Sequence, residues 1–206
     1  ISSLSTNVSA IAAGFGHTCA IRNGAAYCWG RNDNGQLGDN STTSWMTPVA
    51  VSNMTSNVSM ISLGIAHTCA IRSSAAYCWG SNDSRQLGNG TSQQSNVPTA
   101  VSNMASAVSF IESGDLHTCA VRNNQAYCWG SNTYGQVGDS TTTTRDVPTA
   151  VTGMNSGVSM IAGGGYHSCA VRNSIMSCWG YNNSGQLGDN TITNRTSPVV
   201  VVIPLN

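Results

Sequence analysis

Along the chain, short runs that mix apolar with small or polar positions come in sets of four, and the sets recur every 50 residues. In the first set Val8-Ser9-Ala10-Ile11-Ala12 follows the pattern of a half-buried strand and ends at the corner Gly14-Phe15-Gly16. Two further runs, 17–22 and 25–30, are separated by Asn23-Gly24, the strongest two-residue hairpin signal. Ser73-Ser74, Asn123-Asn124 and Asn173-Ser174 hold the matching places and suit the same turn. After a loop rich in Ser, Thr and Asn, Pro48-Val49-Ala50-Val51 predicts a fourth strand, and 199–203 reads as a terminal strand. No stretch carries a helical period. Four short strands per 50 residues are the content of one propeller blade, so the pattern predicts an all-β, β-propeller-type array of four blades.

Such units cannot each bury a core alone, so the chain of 206 residues counts as a single repeat array. Its units run approximately 1–50, 51–100, 101–150 and 151–200, with 201–206 overlapping the start of a further one. The absence of an initiating methionine at Ile1 fits a processed form or a segment of something longer. Because the copies are nearly equivalent, chemistry at a single site would have to lie where they differ.

Each copy carries two cysteines nine positions apart, and the hairpin decides how they meet. With residues 23 and 24 as the turn, positions whose numbers sum to 47 face each other, and Cys19 and Cys28 do. The pair falls at a non-hydrogen-bonded position, where Cα atoms approach to about 4.5–5.5 Å, within reach of a disulfide. The same rule joins Cys69 with Cys78, Cys119 with Cys128 and Cys169 with Cys178. Four cysteine-stapled hairpins imply an oxidising compartment, so the expected location is secreted or at a cell surface. His17-x-Cys19 also puts an imidazole and a thiol on one strand face. Zinc sites, however, draw on short C-x₂₋₄-C pairs, which are absent, and no metal or other cofactor is expected.

Charged residues make up 8% of the chain and cancel to zero, the eight basic residues all being arginines. Without clustered Lys and Arg there is no counterion-displacing surface, so nucleic acid is not an expected partner. No apolar run approaches the ~20 residues of a helical membrane span. Asn-x-Ser/Thr sequons begin at Asn7, Asn40, Asn53, Asn57, Asn82, Asn89, Asn182 and Asn194, against about five expected by chance in so polar a chain. An attached glycan therefore stays open.

His17, His67, His117 and His167 invite an acid-base reading, but identical placement in every unit argues for a structural part, a hydrogen bond to a neighbouring blade or loop. Trp29, Trp79, Trp129 and Trp179 alternate away from the cysteine face and are read as packing between blades. Gln36, Gln86, Gln136 and Gln186, with Asn32, Asn82, Asn132 and Asn182, are read as loop fixation. Positions that differ between copies are the candidate contacts: Trp45, Arg145 and Arg195, which share one repeat position with Ser95; the acidic pair Glu112 and Asp115; and Tyr134, Tyr166 and Tyr181. Glu112 and Asp115 lie near His117, yet no nucleophile pattern such as G-x-S-x-G accompanies them, so the chain is not expected to be an enzyme.

Gly-x-x-His-Thr-Cys-Ala, then Tyr-Cys-Trp-Gly-x-Asn-x-x-Gly-Gln-Leu-Gly, then Pro-Val, resembles the repeats of the regulator of chromosome condensation family over residues 8–202. Arg85 replaces a glycine and Val137 a leucine of that pattern. The resemblance implies a propeller of roughly 50-residue blades, normally seven, with faces that bind other proteins: a small GTPase for the nuclear member, a β-lactamase for a secreted inhibitor. The cysteine-bearing version looks like secreted bacterial members. Four units against seven leave three possibilities: a four-bladed ring, part of a longer chain, or several chains completing one another. The reading is a non-enzymatic extracellular module acting as a structural or assembly scaffold, with protein partners that include further copies of itself. The alternative is a soluble binder of the enzyme-inhibitor type, or a lectin.

Overall fold

A computed structural model describes residues 6–203 and contains sixteen strands, each of six residues. Blade 1 is the meander β1 (Val8–Ala13), β2 (His17–Arg22), β3 (Ala25–Gly30) and β4 (Trp45–Ala50). Blade 2 follows with β5 (Val58–Leu63), β6 (His67–Arg72), β7 (Ala75–Gly80) and β8 (Ser95–Ala100). Blade 3 holds β9 (Val108–Ser113), β10 (His117–Arg122), β11 (Gln125–Gly130) and β12 (Arg145–Ala150). Blade 4 holds β13 (Val158–Gly163), β14 (His167–Arg172), β15 (Ile175–Gly180) and β16 (Arg195–Val200). All pairings are antiparallel and join strands consecutive in sequence.

The central hairpin of each blade keeps the register set by its turn, with Cys19 opposite Cys28 and Arg22 opposite Ala25. The four disulfides close across this pair with Cα atoms 4.0 to 4.1 Å apart. Both turn residues lie at positive φ in every copy, the geometry that Asn-Gly adopts without strain. Ser73 and Ser74 take φ of 50° and 61° in the second copy, where a Cβ is unwelcome. Replacing Ser73-Ser74 by Asn-Gly is expected to stabilise the chain by roughly 1–2 kcal/mol. An unchanged or lower urea midpoint would refute this.

The outer strands differ from the sequence expectation. The fourth strand begins at Trp45 and stops at Ala50, because it is an edge where Pro48 breaks no ladder bond and only three of its positions pair with β3. Val51 has already turned away, its N–H bonded to the Ala26 carbonyl as the chain crosses to the next blade. The terminal strand likewise ends at Val200 rather than continuing to 203, since Val201 and Val202 repeat that crossover on Met176 and Gly188. Residues 204–206, the rest of the expected overlap with a further unit, lie outside the described residues, as do 1–5 of the first.

Three apolar clusters glue blade to blade. In the first, Cys19, Ile21, Ala26, Cys28 and Leu37 of blade 1 meet Val58, Ile61, Leu63 and Trp79 of blade 2; the second and third repeat this between blades 2 and 3 and blades 3 and 4. Every blade thus has an outgoing face bearing its disulfide and an incoming face bearing its tryptophan. Among the described residues no cluster joins blade 4 to blade 1. Met160 and Met176 are 50% and 48% exposed on one end, and Ile11 is 70% exposed on the other. The array is an open arc, which removes the four-bladed ring.

Candidate interaction faces

The joint between blades is built from the repeated histidine, threonine, glutamine and tryptophan. Each glutamine lies in the loop after the third strand, and the main-chain carbonyls of Gln36, Gln86 and Gln136 point at the next blade. The Gln36 carbonyl accepts from Trp79 Nε1 at 2.9 Å and from Thr68 Oγ1 at 2.8 Å. Gln86 serves Trp129 and Thr118, and Gln136 serves Trp179 and Ser168, each at 2.9 Å. The histidine of the first blade reaches the same hydroxyl: His17 Nε2 lies 2.8 Å from Thr68 Oγ1, His67 Nε2 3.1 Å from Thr118 Oγ1, and His117 Nε2 2.8 Å from Ser168 Oγ. The hydroxyl hydrogen is already committed to the carbonyl, so the imidazole must donate from Nε2 and keep Nδ1 as a bare acceptor. Nδ1 of His17, His67 and His117 is buried with no hydrogen-bond partner. A proton there would be a buried charge on a donor without an acceptor. Burial accordingly pushes His17 down to about 4 and His67 and His117 down to about 3, the neighbouring histidines adding to the last two. His167, half-buried at the free end, is lowered by burial too, and has no hydroxyl partner among the described residues.

The glycine two residues beyond each glutamine shows how close the blades come. A Cβ on Gly38, at φ of 70°, would sit 2.6 Å from Trp79 Nε1. The side chains of Asn32 and Gln36 hold the loop itself: Asn32 Nδ2 donates to the Ser41 and Thr43 carbonyls, its Oδ1 accepts from Leu37 N, and Gln36 Oε1 accepts from Asn34 N. The Asn bonds recur in all four copies.

The copy-specific residues separate into three groups. Trp45 Nε1 donates to Asp39 Oδ2 at 3.0 Å, Arg145 Nε to Asp139 at 2.6 Å and Arg195 Nε to Asp189 at 2.8 Å. These three occupy one position of the blade and steady a loop aspartate; in the second copy, where that aspartate is Asn89, the donor is replaced by Ser95, which turns to its own strand. Glu112 lies on the innermost strand of blade 3, where Ser62 Oγ donates to it at 3.1 Å; burial raises its pKa against the opposing effect of that bond. Asp115 is in the β9–β10 corner, its main chain bridging Ile65 and Gly165 of the adjacent blades. His117 engages Ser168, and no hydrogen bond or ion pair to Glu112 or Asp115 is present among the described residues.

Tyr134, Tyr166 and Tyr181 form the third group, and tertiary structure brings them together. Tyr134 comes from the loop after β11, Tyr166 from the β13–β14 corner and Tyr181 from the residue following β15. Their ring centroids are 4.9 to 6.5 Å apart in edge-to-face arrangement, and Tyr166 is 37% exposed. Such pairs prefer this geometry and present rigid amphipathic surface. The cluster straddles blades 3 and 4 on one rim of the arc. Sequence reasoning passed over a different feature: the fourth copy reads Ile175-Met176-Ser177 where the others have Ala or Gln, then Ala, then Tyr. Of these, Met176 alone falls on the outgoing face of blade 4, and that break in the repeat was the available signal for its distinctive surface.

Models of the regulator of chromosome condensation (RCC1) repeat match residues 23–71, 74–121 and 123–171, and a second model of the same repeat matches 8–36 and 108–136. Among curated proteins no sequence match was found. Among solved structures, human WBSCR16 superposes with a TM-score of 0.86 at 23% identity, covering 99% of this chain and 55% of its own. Yeast RCC1 (Prp20) bound to Kap60 gives 0.84 at 19% identity, covering 98% and 50%. Prp20p from Saccharomyces cerevisiae, described with its binding to Gsp1p and histones, gives 0.79 at 20% identity, covering 98% and 52%. The chain therefore spans about half the length of these structures, and at such identity they share its fold. With three of its blade-length segments matched in sequence and the same blades in space, the chain belongs to the RCC1 repeat family.

Proposed function

We propose that this chain is a non-enzymatic, extracellular scaffold whose units assemble by blade stacking, a second copy continuing the array at the free end. One observation carries the reading: the two ends of the arc present the two halves of the joint used three times inside it. Blade 4 offers the Gln186 carbonyl, the His167 imidazole and the apolar Met160, Val171 and Met176; blade 1 offers Thr18, Trp29, Val8 and Ile11. Contiguous apolar surface of this kind is normally covered, and a heterologous joint that does not close propagates into an open polymer. The end joint is not a duplicate of the internal ones, because Met176 stands where Ala26, Ala76 and Ala126 are buried; a methionine is flexible enough to repack there. The four disulfides support a non-reducing, extracellular setting.

Light scattering over a concentration series, with electron microscopy of the same samples, tests this. Concentration-dependent end-to-end chains are expected, abolished by Met176→Arg or by Ile11→Arg. A compact monomer at every concentration overturns the scaffold. It would leave the second reading, a protein-binding module acting through the tyrosine cluster, which is favoured by the convergence of three copy-specific aromatics and by the protein partners named for Prp20p.

A further inference from the structure

The zero net charge of the chain hides a separation of signs between the two faces of the arc. In each blade the corner between the first two strands and the long loop after the third lie on one face, while the hairpin turn and the crossover to the next blade lie on the other. The eight acidic residues all lie toward the first face: the aspartates in corners, in long loops or at the start of a fourth strand, and Glu112 next to last in β9, beside its corner. The turn face has no acidic side chain. It carries instead Arg22, Arg72, Arg122 and Arg172, each the last residue before a hairpin turn.

Three of these arginines are pinned in the same way. Arg22 Nε donates to the Thr6 carbonyl at 3.1 Å, Arg122 Nε to the Ser106 carbonyl at 3.2 Å and Arg172 Nε to the Ser156 carbonyl at 3.0 Å, all at the exposed surface. Arg72 Nε holds the same place in the repeat, buried and without a hydrogen-bond partner. Among the described residues the arginines in ion pairs are Arg31, Arg145 and Arg195, all on the other face. Around the four, the turns and crossovers expose uncharged amides and hydroxyls, such as Asn23, Asn123 and Asn173 in the turns and Asn53, Ser56 and Ser106 in the crossovers. Arg72 and Arg122 have a blade on either side, so this arrangement does not depend on the ends of the arc.

We infer that the turn face binds an anionic polysaccharide, a chain of sugars bearing carboxylate or sulfate groups, with one arginine per blade as the anchoring cation. A guanidinium held by its Nε presents its remaining N–H groups as a preset fork, the geometry that pairs with an oxyanion through two parallel bonds. Pinning the side chain beforehand also lowers the ordering entropy that binding costs. One cation per blade suits a polymer whose charge repeats along its length, and the neutral amides and hydroxyls between the arginines match sugar hydroxyls as donors and acceptors. Nucleic acid fits this face less well. Its phosphates are denser than one cation per blade can neutralise, and no aromatic side chain lies in the turns or crossovers to stack a base. The inference is separate from end-to-end assembly, since these arginines are not among the residues of the joint.

The test is titration of the whole chain with polygalacturonate and with dextran sulfate, beside neutral dextran and a single-stranded DNA of matched charge. Both anionic polysaccharides are expected to bind and dextran not, with affinity falling as salt is added and DNA at least about tenfold weaker. Arg72→Gln and Arg122→Gln should each weaken binding about threefold and the double variant about tenfold. Arg85→Gln, the same change of charge on the other face, should leave it unchanged. No binding to either anionic polysaccharide, equal affinity for dextran, DNA bound as tightly, or an equal loss from Arg85→Gln would overturn the proposal. Urea midpoints show whether the variants are folded. Should the glutamine variants not fold, the double variant Arg72→Lys with Arg122→Lys decides, because it keeps the charge without the fork: weaker binding is expected, and unchanged binding overturns the arginine row as the site.

Discussion

Acidification from pH 6.5 toward 4 is expected to destabilise the chain steeply, by about 4 kcal/mol per pH unit in the middle of that range. The cause is the joint itself. His17, His67 and His117 are neutral in the folded arc, their pKa values lowered to about 4, 3 and 3 chiefly by burial. In the unfolded chain each takes up a proton near 6.5. Stability is therefore present in full above pH 6.5, falls as the pH drops through that value, and stops falling on this account once the folded values are reached. Three protons bound only by the unfolded state set most of the slope, and His167, also lowered by burial, adds to it in the same direction. The loop aspartates act lower down: Asp189, held to about 2 first by the Thr191 hydroxyl, loses its contribution as the pH falls from the ordinary carboxylate value toward about 2. Glu112, raised by burial, works in the opposite direction. Urea titrations at pH 7.5, 6, 5 and 4.5 check the result, with His67→Gln expected to flatten the slope by about a third. A midpoint that stays level between pH 7 and 5 would show that the imidazoles are not held neutral by the joint.

Trp129→Ala is expected to cost about 4–5 kcal/mol and Trp29→Ala less than about 2, although the two occupy the same place in the repeat. Trp129 has no solvent exposure, fills the cluster between blades 2 and 3 and donates to the Gln86 carbonyl. Its removal leaves a cavity that the sheets on either side cannot collapse to fill, and leaves the carbonyl with Thr118 alone. Trp29, on the incoming face of blade 1, is half-buried, and its indole N–H has no carbonyl partner among the described residues. Equilibrium unfolding of the two variants at low protein concentration, where the ends are free, measures the difference. Equal losses would mean that the tryptophan stabilises its own blade and not the joint.

Much of the architecture was legible because it depends on near neighbours in the chain. The strand alternation, the Asn-Gly turn and the hairpin register follow from residues within ten positions of one another, and the cysteine pairing follows from the register. The edge strand was read less well, since the extent of a strand with one partner depends on where the chain must leave to reach the next blade. Trp45, Arg145 and Arg195 stood out as differences between copies, yet their side chains steady Asp39, Asp139 and Asp189 six residues earlier; the matching change at Asn89 and Ser95 was visible but its meaning needed the loop's geometry. Tyr134, Tyr166 and Tyr181 looked like three separate exceptions until blades 3 and 4 were set side by side.

By itself the amino-acid sequence determined the blades: strand period, turn chemistry and sulfur pairing are local, and four copies agree on them. Tertiary structure alone decided which faces are joined and which are left open. A face is buried or free according to what packs on it from 50 residues away, which a repeated motif does not state. The same cysteine pair is fully buried in blades 1 to 3 and half-buried at Cys169, and the same histidine meets a hydroxyl at His17, His67 and His117 but, among the described residues, not at His167, because burial belongs to the arrangement of blades and not to the motif.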